Sequence, residues 1–400
     1  MAYRLTKEAL RHDLFVAFLC AQKHKSNKPY VVKFRENLDE NLDSLCDDLW
    51  TRAYKPEPST CFIVERPKKR EVFAAQFRDR VVHHLYYNYL HELYERTFIE
   101  DSYSYIPGRG THYGISRLAK HIRQESHNYQ EKCYVMNLDI RGYFMHINRQ
   151  ILLRQALISI NKMASHKVYG KGRQTWADVL DIDFLTWLTE EIVLLDPKIN
   201  CHIVGKRADW IGLDRSKSLF YTEDGCGLPI GNLTSQLLSN VYLNLFYQFM
   251  KRVLHCKHYG RYVDDSFVVS RDRQWLLSLV PYIREFLKQT LGLDLHMGKL
   301  QIVNANYGAE FLGAYVKPYR IYVSNKSLER TRQNILRLGL DDLEAAERSL
   351  NSFLGMLVHV SSYNVRANLF LTPQILSIGT LDRDITKFVL TPQEPLAVAA

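Results

Sequence analysis

The 400-residue chain has no apolar run of about 18 residues or more, so no helical membrane span is expected. Nor does a charged segment followed by a short apolar stretch open it, so no secretion signal is expected and a cytoplasmic location follows. Cysteine is sparse. Cys20, Cys46, Cys61, Cys133, Cys201, Cys226 and Cys256 are scattered, odd in number and without paired spacing, which indicates neither a disulfide framework nor a zinc site. They read as small buried hydrophobes in a reducing compartment. Cys256-Lys257-His258, with His255 beside it, lacks the other half of a ligand set and reads as a polar loop before a strand. Internal repeats are absent as well. What is present is a composition 46% hydrophobic and 12% aromatic, which excludes a disordered chain and, at this length, allows about two to three domains. A formal net charge of +10 suits a polyanionic partner, although charge speaks to partners and not to fold.

Two acidic positions interrupt apolar strand patterns. Gly260-Arg261-Tyr262-Val263-Asp264-Asp265-Ser266-Phe267-Val268-Val269-Ser270 reads as a β-hairpin with carboxylates at its tip. Adjacent carboxylates repel, and burying them unpaired is costly, so a compensating cation is called for. Upstream, Tyr134-Val135-Met136-Asn137-Leu138-Asp139-Ile140 is a second apolar strand ending in an aspartate, followed by Arg141-Gly142-Tyr143-Phe144 and a helix-like stretch from Asn148. Mg²⁺ takes a few carboxylates plus substrate phosphates, so Asp139 and Asp264, with Asp265 beside them, are candidate ligands of a two-metal phosphoryl-transfer site. The plainer reading of Asp-Asp is a turn or a helix cap.

These motifs resemble those of a reverse transcriptase, and they fall in that family's order. Arg70-Glu71-Val72-Phe73-Ala74-Ala75-Gln76-Phe77-Arg78-Asp79-Arg80-Val81-Val82 is similar to the first fingers motif, and Ser102 to Thr111 to the second. Leu138 to Phe144 resembles the first palm motif and Tyr262 to Asp265 the third; Leu291-Gly292-Leu293 with Lys299 resembles the next, and Phe311-Leu312-Gly313 the hairpin that grips the primer end. Between the two catalytic palm motifs most relatives carry Gln-Gly, three variable residues, then Ser-Pro. This chain has Leu228-Pro229-Ile230-Gly231-Asn232-Leu233-Thr234-Ser235-Gln236, with isoleucine for the glutamine and glutamine for the proline. That variant resembles the reverse transcriptases of diversity-generating retroelements, bacterial and phage enzymes that copy a template-repeat RNA into cDNA with errors opposite adenine. Asn232 also reads as the cap of a helix.

The resemblance implies an α+β right-hand polymerase with fingers, a palm of antiparallel sheet with packed helices, and a helical thumb. It implies two Mg²⁺ ions, with Mn²⁺ as the alternative, held by Asp139, Asp264 and Asp265 with the Ile140 carbonyl as a further ligand. Lys299 would protonate the leaving pyrophosphate. Arg70 would lie over the incoming deoxynucleoside triphosphate, with Arg78 and Arg80 as alternatives unless Arg78-Asp79-Arg80 is an internal ion pair. The peptides of Gly142 and Tyr143 would approach the triphosphate, and Phe144 would exclude a ribose 2′ hydroxyl unless it is an ordinary core residue. Ile230, Gly231 and Gln236 would border the nucleotide, and Ile230 packs without donors or acceptors where a glutamine would check the pair, which predicts looser selection. Expected partners are the template-repeat RNA, the nascent cDNA and a small basic ring-forming accessory variability protein, in a bacterial or phage-infected cell.

Along the chain the expected organisation is a helical extension over 1–58, fingers over 59–133, palm over 134–324 and a helical thumb with a short tail over 325–400. Cys61 to Val64 reads as a strand and Gln76 to Leu93 as a helix. Residues 197–227 lack a clear period and read as an insertion or a long loop over the active site. Leu233, Leu237, Leu238, Val241, Leu245 and Phe249 have the spacing of one long helix packed under the catalytic hairpin. Leu328, Ile335, Leu336, Leu338, Leu350, Phe353, Leu354 and Leu357 suggest thumb helices with Lys326, Arg330, Arg332 and Arg337 on exposed faces, either solvated or on phosphate. The tail from Thr391 is expected to be disordered. No nuclease or ribonuclease H domain has room in this layout. A retron or group II intron enzyme of ordinary fidelity and a non-catalytic RNA-binding scaffold are the competing readings.

Overall fold

Apolar residues that alternate or cluster give strands, and apolar residues spaced three and four apart give helices. In the computed structural model, which describes residues 4–65, 68–199, 201–338 and 342–391, they produce a mixed α+β architecture with several sheets packed among helices. The helices are α1 (Lys7–Gln22), α2 (Pro29–Glu36), α3 (Leu38–Trp50), α4 (Phe77–Glu95), α5 (Thr111–Glu125), α6 (Tyr143–His146), α7 (Arg149–Ala164), α8 (Ile182–Leu194), α9 (Leu233–Tyr242), α10 (Asn244–Gln248), α11 (Arg273–Leu291), α12 (Asn325–Leu336), α13 (Leu343–Leu357), α14 (Tyr363–Phe370) and α15 (Pro373–Leu376). The strands are β1 (Thr60–Val64), β2 (Arg70–Ala74), β3 (Tyr134–Leu138), β4 (His202–Ile203), β5 (His258–Tyr262), β6 (Asp265–Ser270), β7 (Gln301–Asn304), β8 (Ala309–Phe311), β9 (Ala314–Lys317), β10 (Arg320–Val323), β11 (Gly379–Leu381) and β12 (Phe388–Leu390). Of the expected tail, all but Thr391 lies outside the described residues.

The chain divides into two compact units built from interleaved stretches. The first comprises Met1–Ile106, Asp139–Lys257 and Leu279–Gly298. In it α1 packs on α4 through Leu10, Leu14 and Phe18, with the Phe18 ring edge-on to Phe77 at 6.1 Å. Strands β1 and β2 form an antiparallel pair with Cys61 opposite Phe73, and β4 adds in parallel at the other edge of β1. The second unit comprises Pro107–Leu138, His258–Ser278 and Lys299–Ala400. Its centre is an antiparallel sheet in the order β5-β6-β3-β7. Helix α5 buries Ile115, Leu118 and Ile122 and packs against β5 and β6. A smaller sheet, β10-β9-β8, is tied to this centre where Phe311 meets Phe267 edge-on at 5.0 Å. Helices α12 to α15 and the β11–β12 hairpin share a core of Ile335, Leu350, Leu354, Leu357, Phe370 and Phe388.

Several expectations need correction. The long helix after Gly231 is divided: α9 stops at Tyr242, α10 follows, and Phe249–Val253 forms a π-helical turn. The Tyr143 and Tyr247 hydroxyls donate to the carbonyls of Ser239 and Asn240, and the ladder bond from the Leu243 N–H to the Ser239 carbonyl is stretched to 3.3 Å. Side chains inserted into the ladder in this way break a helix, and Leu245 is left exposed. Residues 197–227 are not a loose loop, because they contribute β4 and three 3₁₀ turns. Asn232 stands at the helix start but makes no capping bond; its side-chain oxygen accepts from the Ala75 N–H at 3.3 Å. Cys20 is exposed, and Cys201 and Cys226 are half-buried, so only part of the cysteine set is core. Leu336 is exposed as well, because Ile335 takes the inward place on α12.

Among the buried polar groups Asp79 carries a pH signature. Its carboxyl accepts from the Tyr54 hydroxyl at 2.8 Å and from the Glu57 N–H at 2.9 Å, yet burial raises its pKa to about 6. The folded state therefore holds this proton more tightly than the unfolded chain does, so stability falls as pH rises from about 4 to about 6. Asp79→Asn should flatten that stretch of the stability curve. Urea midpoints from pH 4 to pH 7 should show wild type losing on the order of 3 kcal/mol relative to the variant across the interval.

Candidate active site

The acidic hairpin forms as expected. Strands β5 and β6 are closed by the pair Tyr262↔Asp265, leaving Val263 and Asp264 as a two-residue turn. Both turn types that suit such hairpins demand a positive φ at the first central residue, and Val263 has φ 55°. A β-branched residue there stores strain of order 1–3 kcal/mol. Arg261, 1% exposed, answers it by donating from its guanidinium to the Val263 carbonyl at 2.7 Å. Asp264 is half-buried and Asp265 exposed. On the neighbouring strand Leu138 pairs with Ser266, and Asp139 is the next residue along the chain. Tyr262, Asp265, Ser266 and Leu138 therefore stand at the turn end of one sheet, which joins the expected hairpin with acidic tip to the expected strand before Asp139.

The nucleotide-site candidates of the first unit also gather. Main-chain bonds from His296 to the Asp139 carbonyl and from Arg141 to the Asp294 carbonyl fix the segment after β3, and this bridge does not use the Ile140 carbonyl. Gly142 then turns with φ 56°; a Cβ there would stand 2.9 Å from the His146 ring and 3.0 Å from the Ser216 carbonyl. Tyr143 is buried, its hydroxyl on the Ser239 carbonyl at 2.5 Å, so its side chain serves the core. Phe144 and Ile230 both pack against the cluster Cys61, Phe73, Met145 and Leu219. Burial pushes the Cys61 thiol up to about 12, with Glu71 adding to the shift, so that group stays protonated. Gly231 lies against Val72 of β2, and on that strand Val72 shares a face with exposed Arg70. Gln236 is half-buried on the first turn of α9.

With that geometry stand the comparisons. The family model described as reverse transcriptase (RNA-dependent DNA polymerase) matches residues 65–316. The chain belongs to that family. Reverse transcriptases of this kind are nucleotidyltransferases, and this chain is 23% identical over 308 residues to Protein YkfC of Escherichia coli K12, covering 68% of this chain and 70% of that one. Among solved structures it is similar to telomerase from Candida albicans in complex with a fragment of telomeric RNA (TM-score 0.46, 11% identity, 80% of this chain) and to apo telomerase from Candida tropicalis (TM-score 0.49, 10% identity, 72% of this chain). The chain spans 57% and 60% of those two telomerase chains.

The remaining family positions fall in varied settings. Arg78 pairs with Asp48 and sits over the Tyr54 ring, with Asp79 at 3.7 Å, so the ion pair within the motif does form. Arg80 donates to the Ala75 carbonyl at 2.7 Å and lies over Tyr30. Lys299 is exposed at the end of a 3₁₀ turn just before β7. Phe311 is core, whereas Leu312 and Gly313, with φ 50° and 81°, form a two-residue turn whose Gly313 carbonyl accepts from Ser324 N–H at 2.9 Å. Family membership implies divalent-metal catalysis in general. Among the described residues no group of three or more His, Cys, Asp or Glu side chains forms a metal cluster. Carboxylates at strand ends are still the donors a Mg²⁺ takes alongside phosphate and water. Among the described residues no helix is long and apolar enough to cross a membrane.

Sequence reasoning passed over Glu71, Arg261 and the tie from Asn232 to Ala75. A signal existed for the first two, since Glu71 shares the buried phase of its strand with Phe73 and Arg261 lies in an otherwise buried strand. Gly142 is the sharpest local test of the pocket. Gly142→Ala forces an L side chain into the left-handed region at a cost of about 1–2 kcal/mol and pushes its Cβ toward Ser216. The variant should melt earlier, and primer extension should slow on the order of tenfold or more. Adding His146→Ala should recover only part of both losses, because the Ser216 contact remains.

Proposed function

We propose that this chain is an RNA-directed DNA polymerase that copies a template-repeat RNA into cDNA with low fidelity, as in a diversity-generating retroelement. The observation that carries the finer part is Ile230. It stands where most relatives carry glutamine, and its side chain packs into an apolar cluster beside Phe144. A pocket wall without donors or acceptors cannot test the hydrogen-bonding geometry of an incoming pair, so selection against misplaced nucleotides weakens. The preference for errors opposite adenine rests on family likeness.

The proposed roles follow the motifs. Asp139, Asp264 and Asp265, with the Ile140 carbonyl, would hold two Mg²⁺ ions, Mn²⁺ being the alternative. When bound, these lower the pKa of the primer 3′ hydroxyl and neutralise charge on the leaving pyrophosphate. Arg70 lies over the incoming deoxynucleoside triphosphate, since a planar guanidinium can stack on a base and bind phosphate, and Arg78 is engaged with Asp48. The peptides of Gly142 and Tyr143 approach the triphosphate, Phe144 walls off the 2′ position, and Gly231 and Gln236 border the pair. Lys299 supplies the proton to pyrophosphate. Phe311, Leu312 and Gly313 hold the primer end. In this assignment 59–133 serve as fingers, 134–324 as palm and 325–400 as thumb, with a small basic ring-forming accessory protein and the template RNA as partners.

Replacing either metal-binding aspartate removes charge but little volume. Asp139→Asn and Asp264→Asn should abolish primer extension with Mg²⁺ while RNA binding stays near wild type; near-normal extension by either would remove that residue from the ligand set.

Fidelity separates the finer reading from an ordinary bacterial reverse transcriptase. Ile230→Gln should restore a polar contact and lower misincorporation, most visibly opposite template adenine, without stopping synthesis. Sequencing cDNA made on one template RNA by both proteins, with the accessory protein added where synthesis needs it, measures this. A wild type already accurate opposite adenine would defeat the retroelement assignment, whereas an error-prone wild type with an unaltered variant spectrum would clear Ile230 as the cause.

A further inference from the structure

The stretch 202–221, which sequence pattern left without a role, is fastened to the strand that carries Arg70. Glu71, 1% exposed on β2, accepts three hydrogen bonds through its carboxyl group: from Trp210 Nε1 and the Ser218 hydroxyl at 2.7 Å each, and from the Leu219 N–H at 2.6 Å. The Lys69 ammonium donates to the Ile211 carbonyl at 2.9 Å, and the Phe73 and Phe220 rings lie 5.4 Å apart. At the other end β4 joins β1, with Val204 N–H on the Cys61 carbonyl at 2.8 Å.

Strand β2 is thus two-faced. Glu71 and Phe73 point into the insertion, and Arg70 and Val72 point the other way, where Val72 meets Gly231. The insertion also packs against the cluster that Phe73 shares with Phe144 and Ile230. Its Leu219 and Trp210 pack in the cluster that holds Phe144 and Ile230, and its Ser216 carbonyl lies 3.0 Å from where a Cβ on Gly142 would stand. As the chain leaves it, Gly227 N–H donates to the Ile147 carbonyl and Leu228 N–H to the Phe144 carbonyl, both at 2.9 Å, two residues before Ile230.

We infer that residues 202–221 form a bracket, pinned through Glu71, that sets the spacing between Arg70 on one side and Phe144 and Ile230 on the other, and so sets nucleotide affinity and sugar selection. Glu71 is a positioning residue in this scheme; it touches no substrate. The inference rests on the proposed placing of Arg70, Phe144 and Ile230 at the incoming nucleotide. Its chemistry is simple: a carboxyl with two acceptor oxygens satisfies three donors, whereas an amide must turn its NH₂ toward at least one of them.

The test is steady-state primer extension on the full chain with a deoxynucleotide and its matched ribonucleotide, comparing wild type, Glu71→Gln, Trp210→Phe and Phe144→Ala. Glu71→Gln should raise the KM for deoxynucleotide about tenfold and raise relative ribonucleotide use, with kcat changed by less than about threefold. Trp210→Phe, which removes one donor of the three and replaces the indole by a smaller aromatic ring, should shift both in the same direction by less. A purely structural role would lower the active fraction, reducing kcat with KM and the sugar ratio unmoved, and that result overturns the bracket. Should Glu71→Gln fail to fold, Trp210→Phe decides, an unchanged KM and ratio again overturning it. An unaltered sugar ratio in Phe144→Ala beside a raised KM in Glu71→Gln would remove Phe144 as the gate and leave the bracket standing through Arg70. An inactive wild type would remove the polymerase reading and the bracket together.

Discussion

A turn of two residues at the end of a sheet buried on both faces is the constraint from which the rest follows. β6 is buried from Ser266 to Ser270 and β3 at Val135, Met136 and Leu138, so a slip of one residue would exchange every contact on both faces. Register is therefore fixed, and with it the pairs Leu138↔Ser266 and Tyr262↔Asp265. Those pairs leave room for two turn residues only. Glycine would meet the positive φ at position 263 without cost, yet valine stands there and is 7% exposed. A strained valine held by the buried Arg261 makes the carboxylates next to it stiff. In the proposed role of Asp264 and Asp265 as ligands, such stiffness would have the oxygens ready before substrate arrives.

The second constraint is the alternation of β2. Five residues, Arg70 to Ala74, present one face with an exposed arginine and a valine against Gly231, and another with a buried glutamate and phenylalanine. Because the side-chain period is two, whatever fixes Glu71 and Phe73 fixes where Arg70 points. The insertion does that through hydrogen bonds to one carboxyl group, which are directional in a way that the apolar packing of Phe73 is not. The acidic hairpin and strand β2 are thus held by the same device, a buried charged side chain bonded to main-chain, indole or hydroxyl groups.

What the sequence disclosed and what it hid divide along the range of the interactions. The hairpin, β1, α4 and the helix capped by Asn148 were readable because each is dictated by local periodicity or a local cap. The division of the helix after Gly231 was not, since its cause is two tyrosine hydroxyls, one of them 96 residues away. Asn232 looked like a cap for the sound local reason that asparagine favours that place, and a partner 157 residues distant took its oxygen instead. The order of residues 202–221 escaped for the same reason: the bonds that anchor them to Ser59, Cys61, Lys69 and Glu71 reach well over a hundred residues upstream, and a segment stabilised from outside needs no period of its own. Glu71 was the one long-range clue written in the pattern, a charge on the inward phase of an apolar strand.

Composition of the pocket also limits what any single residue can explain. Ile230 can relax selection, but a hydrocarbon presents the same face to every base and cannot distinguish adenine from guanine in the template. Discrimination among template bases needs donors and acceptors directed at a base edge, or a shape that one base fills and another does not. General infidelity and adenine-directed infidelity are therefore separate physical properties. In the proposed function the first would belong with the apolar cluster of Cys61, Phe73, Met145 and Leu219 against which Phe144 and Ile230 pack. The second would need groups that meet the template strand itself, and a bracket that fixes the spacing of the proposed wall would scale the error rate without choosing the base at which it falls.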